Sequence, residues 1–126
     1  MGSSSASFPR SHRLLKADEF TAVLRQSDVN KSAGPLRMRA RKNRMRDARL
    51  GLVVGKKGNR TAVRRNRIKR LVRDSFRQRS GTLSGYDIVI QVFAEIEDER
   101  LKRSLEKMFT ELANGSDKGG AQYQEI

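Results

Sequence analysis

The residues in this chain best suited to chemistry are cations set at helical spacing. Residues 61–79 read TAVRRNRIKRLVRDSFRQR. At 100° per residue, Asn66, Lys69, Arg70, Arg73 and Arg77 share an arc of roughly 100°, while Ile68, Leu71, Val72, Ser75 and Phe76 share an arc of roughly 140° on the other side. Like charges at i,i+3 and i,i+4 repel by roughly 0.2–0.5 kcal/mol per pair, a cost that a bound anion removes. Phosphate is the natural anion, because guanidinium groups bind it bidentately and each neutralised phosphate releases counterions. Asn66 both donates and accepts, so it can bond a base edge or a 2′-hydroxyl. A helix of mixed Lys and Glu would present such a face to water alone. Here only Asp74 interrupts one sign of charge, which favours contact with a polyanion.

The whole chain carries the same bias. Its 126 residues hold 28 Lys plus Arg against 14 Asp plus Glu, for a net charge of +14. Such a field attracts RNA, DNA or an acidic membrane, and composition does not choose among them. The longest apolar stretches, residues 50–54 and 88–94, are strand-sized, far short of the roughly 20 residues of a membrane span. Residues 1–7 lack the apolar segment of a secretory signal. The absence of Cys excludes disulfides and thiolate metal sites and fits a cytoplasmic location. Catalytic groups are hard to assemble: the single His12 sits between Ser11 and Arg13 without an orienting partner, and the carboxylates fall mainly at helix starts and in the tail. Hydrolysis by two metals calls for several convergent carboxylates.

The elements that must position the cationic helix follow from periodicity. An acidic start and a one-sided stripe of Phe20, Val23 and Leu24 predict a short helix over 17–26. Residues 27–35 read as loop. Strict alternation follows, with Leu36, Met38 and Ala40 on one face of a strand and Arg37, Arg39 and Arg41 on the other. A charged turn at 43–47 leads to a buried strand at 50–54, and a link at 55–60 leads to the helix over 61–79, closed by Gly81. Gly85 opens a third strand over 86–93. Strand, helix, strand makes a βαβ unit, whose outer strands run parallel if they are neighbours. Leu101, Leu105, Met108 and Leu112 mark a final amphipathic helix behind acidic Glu97, Asp98 and Glu99. One domain over 8–113 is expected, with residues 1–7 as an unstructured or appended stretch and 114–126 as a flexible tail.

The run Arg65-Asn66-Arg67-Ile68-Lys69-Arg70-Leu71-Val72-Arg73, preceded by Gly51-Leu52-Val53-Val54-Gly55-Lys56-Lys57, closely resembles the signature of the bacterial ribonuclease P protein subunit. Phe8-Pro9-Arg10, Arg13-Leu14-Leu15 and Asp87-Ile88-Val89-Ile90 extend the resemblance across roughly residues 8–112. It implies a subunit of the endoribonuclease that removes the 5′ leader of precursor tRNA. A large catalytic RNA would perform the hydrolysis, with Mg²⁺ held mainly by RNA and substrate and no catalytic side chain from the protein. The implied partners are that RNA and precursor tRNA, with neither membrane nor small-molecule substrate. The implied fold is an α+β sandwich of the ribosomal protein S5 domain 2 type, a small mixed sheet packed by helices, with a left-handed βαβ crossover against the usual right-handed rule.

Carried over by position, the RNA-facing set is Lys56, Lys57, Arg60, Arg64, Arg65, Asn66, Arg67, Lys69, Arg70 and Arg73. Phe20 matches an aromatic of the family's leader cleft, where stacking is worth roughly 1–3 kcal/mol per base. Helix amphipathicity also explains Phe20 as a core anchor, and both readings stay open. The first strand departs from the family by carrying Met38 and Arg39 where an aromatic is expected. Arg37, Arg39 and Arg41 can hold leader phosphates instead, or form the wet face of the sheet. A ribosomal protein or RNA chaperone would bind ribosomal RNA without affecting tRNA processing. A major-groove DNA reader would need varied base-reading side chains and usually a dimer interface, neither of which is evident.

Overall fold

The computed structural model describes residues 17–43 and 47–114. In chain order the elements are helix α1 (Ala17–Arg25), strands β1 (Val29–Ala33), β2 (Leu36–Lys42) and β3 (Arg49–Val54), helix α2 (Ala62–Arg79), strand β4 (Tyr86–Val92) and helix α3 (Asp98–Ala113). The sheet order is β1-β2-β4-β3. β1 and β2, and β2 and β4, run antiparallel, whereas β3 and β4 are parallel neighbours across α2, as the βαβ reading requires. The result is an α+β fold with a four-stranded mixed sheet and three helices.

Alternation divides the sheet into two faces. Leu36, Met38 and Ala40 of β2, Ile88, Ile90 and Val92 of β4 and Leu50 of β3 enter the main core with Ile68, Val72 and Phe76 of α2 and Leu101, Leu105, Phe109 and Leu112 of α3. The other face meets α1, where Val23 and Val89 are buried together and Phe20 and Leu24 pack against them. β4 is central and is buried on both faces.

Residues 27–35, expected as loop, contain β1 and the turn that pairs it with β2. Ala33 faces Leu36 across a two-residue connection. Gly34 there takes φ 59, as the first central position of a type II′ hairpin turn requires, and Pro35 supplies the negative φ of the second. The strand escapes a hydrophobicity test because Lys31 occupies one of its inward positions. Lys31 is buried, and its Nζ lies 3.1 Å from Glu111 of α3.

Gly81 is not the stop expected for α2. The helix ends at Arg79 and tightens into a 3-10 turn over Ser80–Leu83 that buries Leu83. The left-handed residue that redirects the chain is Gly85, at φ 89. The turn at 43–47 lies partly outside the described residues, but Asn43 Nδ2 donates to the Asp47 carbonyl at its far end, 3.1 Å away. Residues 1–16, which include Phe8-Pro9-Arg10, His12 and Arg13-Leu14-Leu15, and residues 115–126 also lie outside the described portion.

Two ionic knots join elements that are distant in the sequence. Arg49 donates through Nε and Nη2 to the Asp87 carboxylate at 2.9 and 2.8 Å, and through Nη1 to Glu19 at 2.8 Å. Asn43 adds a third bond to Asp87 at 2.7 Å. β3, β4, α1 and the chain after β2 therefore meet at the Arg49–Asp87 pair. The hydrogen bonds it donates to Asp87, then the Asp87 charge and the hydrogen bond to and charge of Glu19, hold the Arg49 guanidinium protonated above its usual range, outweighing partial burial. The second knot is Asp98 at the start of α3, which accepts from Arg64 Nη1 at 2.8 Å and from Arg67 Nε at 2.6 Å. Arg64 also donates to the carbonyl of Ile96.

Arg49→Met leaves Asp87 buried with only Asn43, so we expect a loss of up to roughly 3–5 kcal/mol in denaturant titrations. Hydrogen exchange should speed up more in α1 than in α2, and equal acceleration in both would contradict the tethering role. Asp98 is held below its ordinary value of 3.8, chiefly by the hydrogen bonds from Arg64 and then Arg67. A carboxylate with a lowered folded pKa contributes stability that is complete above the unfolded value and is lost as pH falls through the folded one. Asp98→Asn should therefore lower the melting temperature by a constant amount at neutral pH, and the gap should close below about pH 4. A gap that persists at the most acidic pH would remove the ionic explanation.

Candidate nucleic-acid interface

α2 begins with its first turn capped. The Thr61 side chain accepts from the Arg64 amide at 3.1 Å, satisfying one of the free donors of a helix start. The preceding link is fixed by Asn59, whose side chain is fully buried and donates through Nδ2 to the Ala94 carbonyl at 3.2 Å. Gly58, at φ 76, lies so near Glu95 that a Cβ would come within 2.5 Å of the Glu95 nitrogen. Lys56, Lys57 and Arg60 are thus displayed, exposed, on a link that has little freedom.

Packing of Ile68, Val72 and Phe76 at 0 % exposure sets the azimuth of α2. Asn66, Arg70 and Arg73 face out as the helical spacing predicts, with Lys69 half-buried beside them. The structure separates the candidate cations into two groups. Arg64 and Arg67 are bound to Asp98, and Arg65 Nη1 donates to the carbonyls of Asn59 and Arg60 at 3.0 and 2.8 Å, bracing the link. Arg77 pairs with Asp74 and Arg79 with Glu106. Among the described residues, Lys69, Arg70 and Arg73 form no salt bridge.

The second candidate surface is the sheet face under α1, and this is the face that carries the arginines of β2. Arg39 reaches across to α1, its Nη1 donating to the Leu24 carbonyl at 2.8 Å in the last turn, where helix carbonyls lack partners. Its buried Nε has no hydrogen-bond partner. Arg37 lies over the Phe93 ring at 5.4 Å from the centroid, and Phe93 is 47 % exposed. Arg41 lines a separate polar pocket with Asp28, Lys42, Asn43, Arg49 and Asp87. Phe20 is half-buried against the Val23–Val89 contact, so part of its ring anchors α1 and part borders the face.

Sequence reasoning did not select Phe93, Gln91, Asn59 or Asp98. Phe93 and Gln91 had a usable signal, since residues 89, 91 and 93 continue the face that carries Val89. Gln91 is set between Arg37 and Val53 in the sheet, and its Oε1 is buried without a partner. Asn59 and Asp98 act through backbone carbonyls and arginines remote in sequence, which spacing does not reveal.

No group of three or more His, Cys, Asp and Glu among the described residues could hold a metal ion. No helix of the described residues is long and apolar enough to cross a membrane. The surfaces offer phosphate binding, stacking and hydrogen bonding rather than side-chain acid–base chemistry.

Comparison with known proteins agrees with this description. The ribonuclease P family model matches residues 8–113. The ribonuclease P protein component of Marinomonas sp. is 44% identical over 109 residues, covering 84% of this chain and 83% of that one. The component of Pseudomonas aeruginosa is 42% identical over 112 residues, with 86% and 82% covered. The solved ribonuclease P protein from Thermotoga maritima superposes with a TM-score of 0.64 at 28% identity, covering 77% of this chain and 94% of that one. The chain belongs to the ribonuclease P protein component family, a subunit of the tRNA-processing endoribonuclease.

Proposed function

We propose that the protein binds the catalytic RNA of ribonuclease P through the outward face of α2 and the 56–60 link, and receives the single-stranded 5′ leader of precursor tRNA on the sheet face beside α1. The observation that supports this best is the sorting of cations on α2. Those facing α3 and the link are committed to protein acceptors, and Lys69, Arg70 and Arg73 have no salt-bridge partner among the described residues on the side away from the core. Arg67, with its side chain still 55% exposed, and Arg64 contribute at the margin of that face.

In this reading Arg37, Arg39 and Arg41 hold leader phosphates, and the exposed part of Phe20 stacks on a base. The Arg37–Phe93 pair supplies an aromatic that β2 itself lacks. In this reading hydrolysis belongs to the RNA, with Mg²⁺ held by RNA and substrate. The protein places cations between two polyanions, reducing their mutual repulsion and so the Mg²⁺ needed for a productive geometry. A cytoplasmic location and the left-handed crossover implied by the family belong to the same reading.

Cleavage of a precursor tRNA by a bacterial ribonuclease P RNA at low Mg²⁺ should be strongly stimulated by this protein, which alone should cleave nothing. No stimulation of a cognate RNA would favour a ribosomal or chaperone role. Lys69→Ala with Arg73→Ala should weaken holoenzyme assembly and reduce the slope of log K against log salt by about 2, one for each lost phosphate contact. An unchanged slope would remove α2 from the RNA interface.

A further inference from the structure

A groove of about 880 Å³ is lined by residues 30–33 of β1, by Arg37 and Arg39 of β2 and by Ser104 and Lys107 of α3. Successive strand residues point to opposite faces. A groove lined by four consecutive residues of β1 must therefore run over the edge of the sheet rather than along one face. It opens at Arg37 and Arg39 on the α1 side and ends against α3 on the other. β1 is the outermost strand, so no further strand blocks this route.

Of the cations on α3, Lys107 lines the groove, and a cationic stripe continues from it along the helix beyond the lining. Arg100, Arg103 and Lys107 fall within roughly 60° of one another on α3, and all three are exposed. The Arg100 guanidinium lies over Gly34 at the tip of the β1–β2 hairpin. Glu111 is the carboxylate lining the groove, and it is engaged by Lys31 at 3.1 Å. Ser32 and Ser104 add hydroxyls able to donate to phosphate oxygens.

We infer that this groove carries the upstream continuation of single-stranded RNA: the leader, having crossed the sheet face at Arg37 and Arg39, passes over β1 and lays its phosphates along Lys107, Arg103 and Arg100. The inference rests on the leader occupying the sheet face. A path that bends round a strand edge suits a single strand, whose backbone can follow a charged groove, and is unsuited to a stiff duplex. The groove offers phosphate contacts and no aromatic platform, so it adds affinity without reading sequence.

The test uses the holoenzyme reconstituted with its catalytic RNA and two precursors, with leaders of about 5 and about 12 nucleotides, within the roughly 4–16 nucleotides that single-strand-binding folds engage. Lys107→Gln with Arg103→Gln should weaken binding of the long-leader precursor by about 3- to 10-fold and leave the short-leader precursor unchanged. The salt slope for the long leader should fall by about 1.4, at roughly 0.7 per single-strand phosphate. Phe20→Ala serves as the control for the sheet face and should weaken both precursors. If Phe20→Ala weakens both and the α3 variant changes neither, the groove does not carry leader and the sheet face still does. If neither variant affects either precursor, the leader reading falls together with this one. Equal weakening of both precursors by the α3 variant, or loss of catalytic-RNA binding, would assign α3 to the catalytic RNA and overturn the inference.

Discussion

The seam of Ile68, Val72 and Phe76 against the sheet determines what the rest of the molecule can do. All three side chains are fully buried, and Phe76 meets Phe109 of α3 edge-on, with centroids 6.2 Å apart and planes at 67°. Burying such side chains contributes roughly 1.5–3 kcal/mol each, whereas each like-charge pair on the outer face costs only a few tenths. The seam therefore wins, and it fixes the rotation of α2 despite the repulsion it concentrates outside. A helix held this firmly can present a crowded cationic face that an isolated helix would avoid.

Ion pairs then decide which cations remain for a partner. The Arg49–Asp87–Glu19 network sits at low exposure and joins three elements, so it sets where α1 stands over the sheet. The Asp98 knot sets the start of α3 against the start of α2. Arg77–Asp74 and Arg79–Glu106 are exposed pairs of the kind worth roughly 0–1 kcal/mol, which hold little in place. Counting arginines on the wheel misses this division. Arg64, Arg65 and Arg67 lie in the same dense motif as Lys69, Arg70 and Arg73, yet their guanidinium groups have protein acceptors that brace the start of α2 and its link.

The sequence made legible what depends on local period. The stripe of α2, the alternation of β2, the buried β3 and β4 and the amphipathic α3 stand where their patterns put them, because each buries one face against a neighbour. β1 was hidden because Lys31 takes a position that the pattern reserves for an apolar residue, and its acceptor Glu111 lies 80 residues away in the chain. The end of α2 at Arg79 stands where the pattern put it, but the left-handed residue that follows is Gly85 rather than Gly81, because a glycine need not adopt the left-handed conformation it permits. Alternation placed Arg37, Arg39 and Arg41 on a common face. Which side α1 covers follows only from the long-range contact of Val23 with Val89.

The two surfaces proposed to meet RNA lie on opposite sides of the sheet, and that separation has a physical use. Charges farther apart than the roughly 8–10 Å Debye length at physiological salt act largely independently. The face of α2 and the face of β2 can therefore serve two polyanions without either saturating the other. The central strand β4 connects them, sending Ile88, Ile90 and Val92 toward α2 and α3 and sending Val89 and Gln91 toward α1. β1 forms one open edge of the sheet between its two sides. Its buried Lys31 makes pairing with a foreign strand unfavourable, the usual means by which exposed edges avoid association. An edge closed to β-pairing and bordered by cations remains open to a nucleic-acid backbone, which needs charge and hydroxyls rather than a free strand.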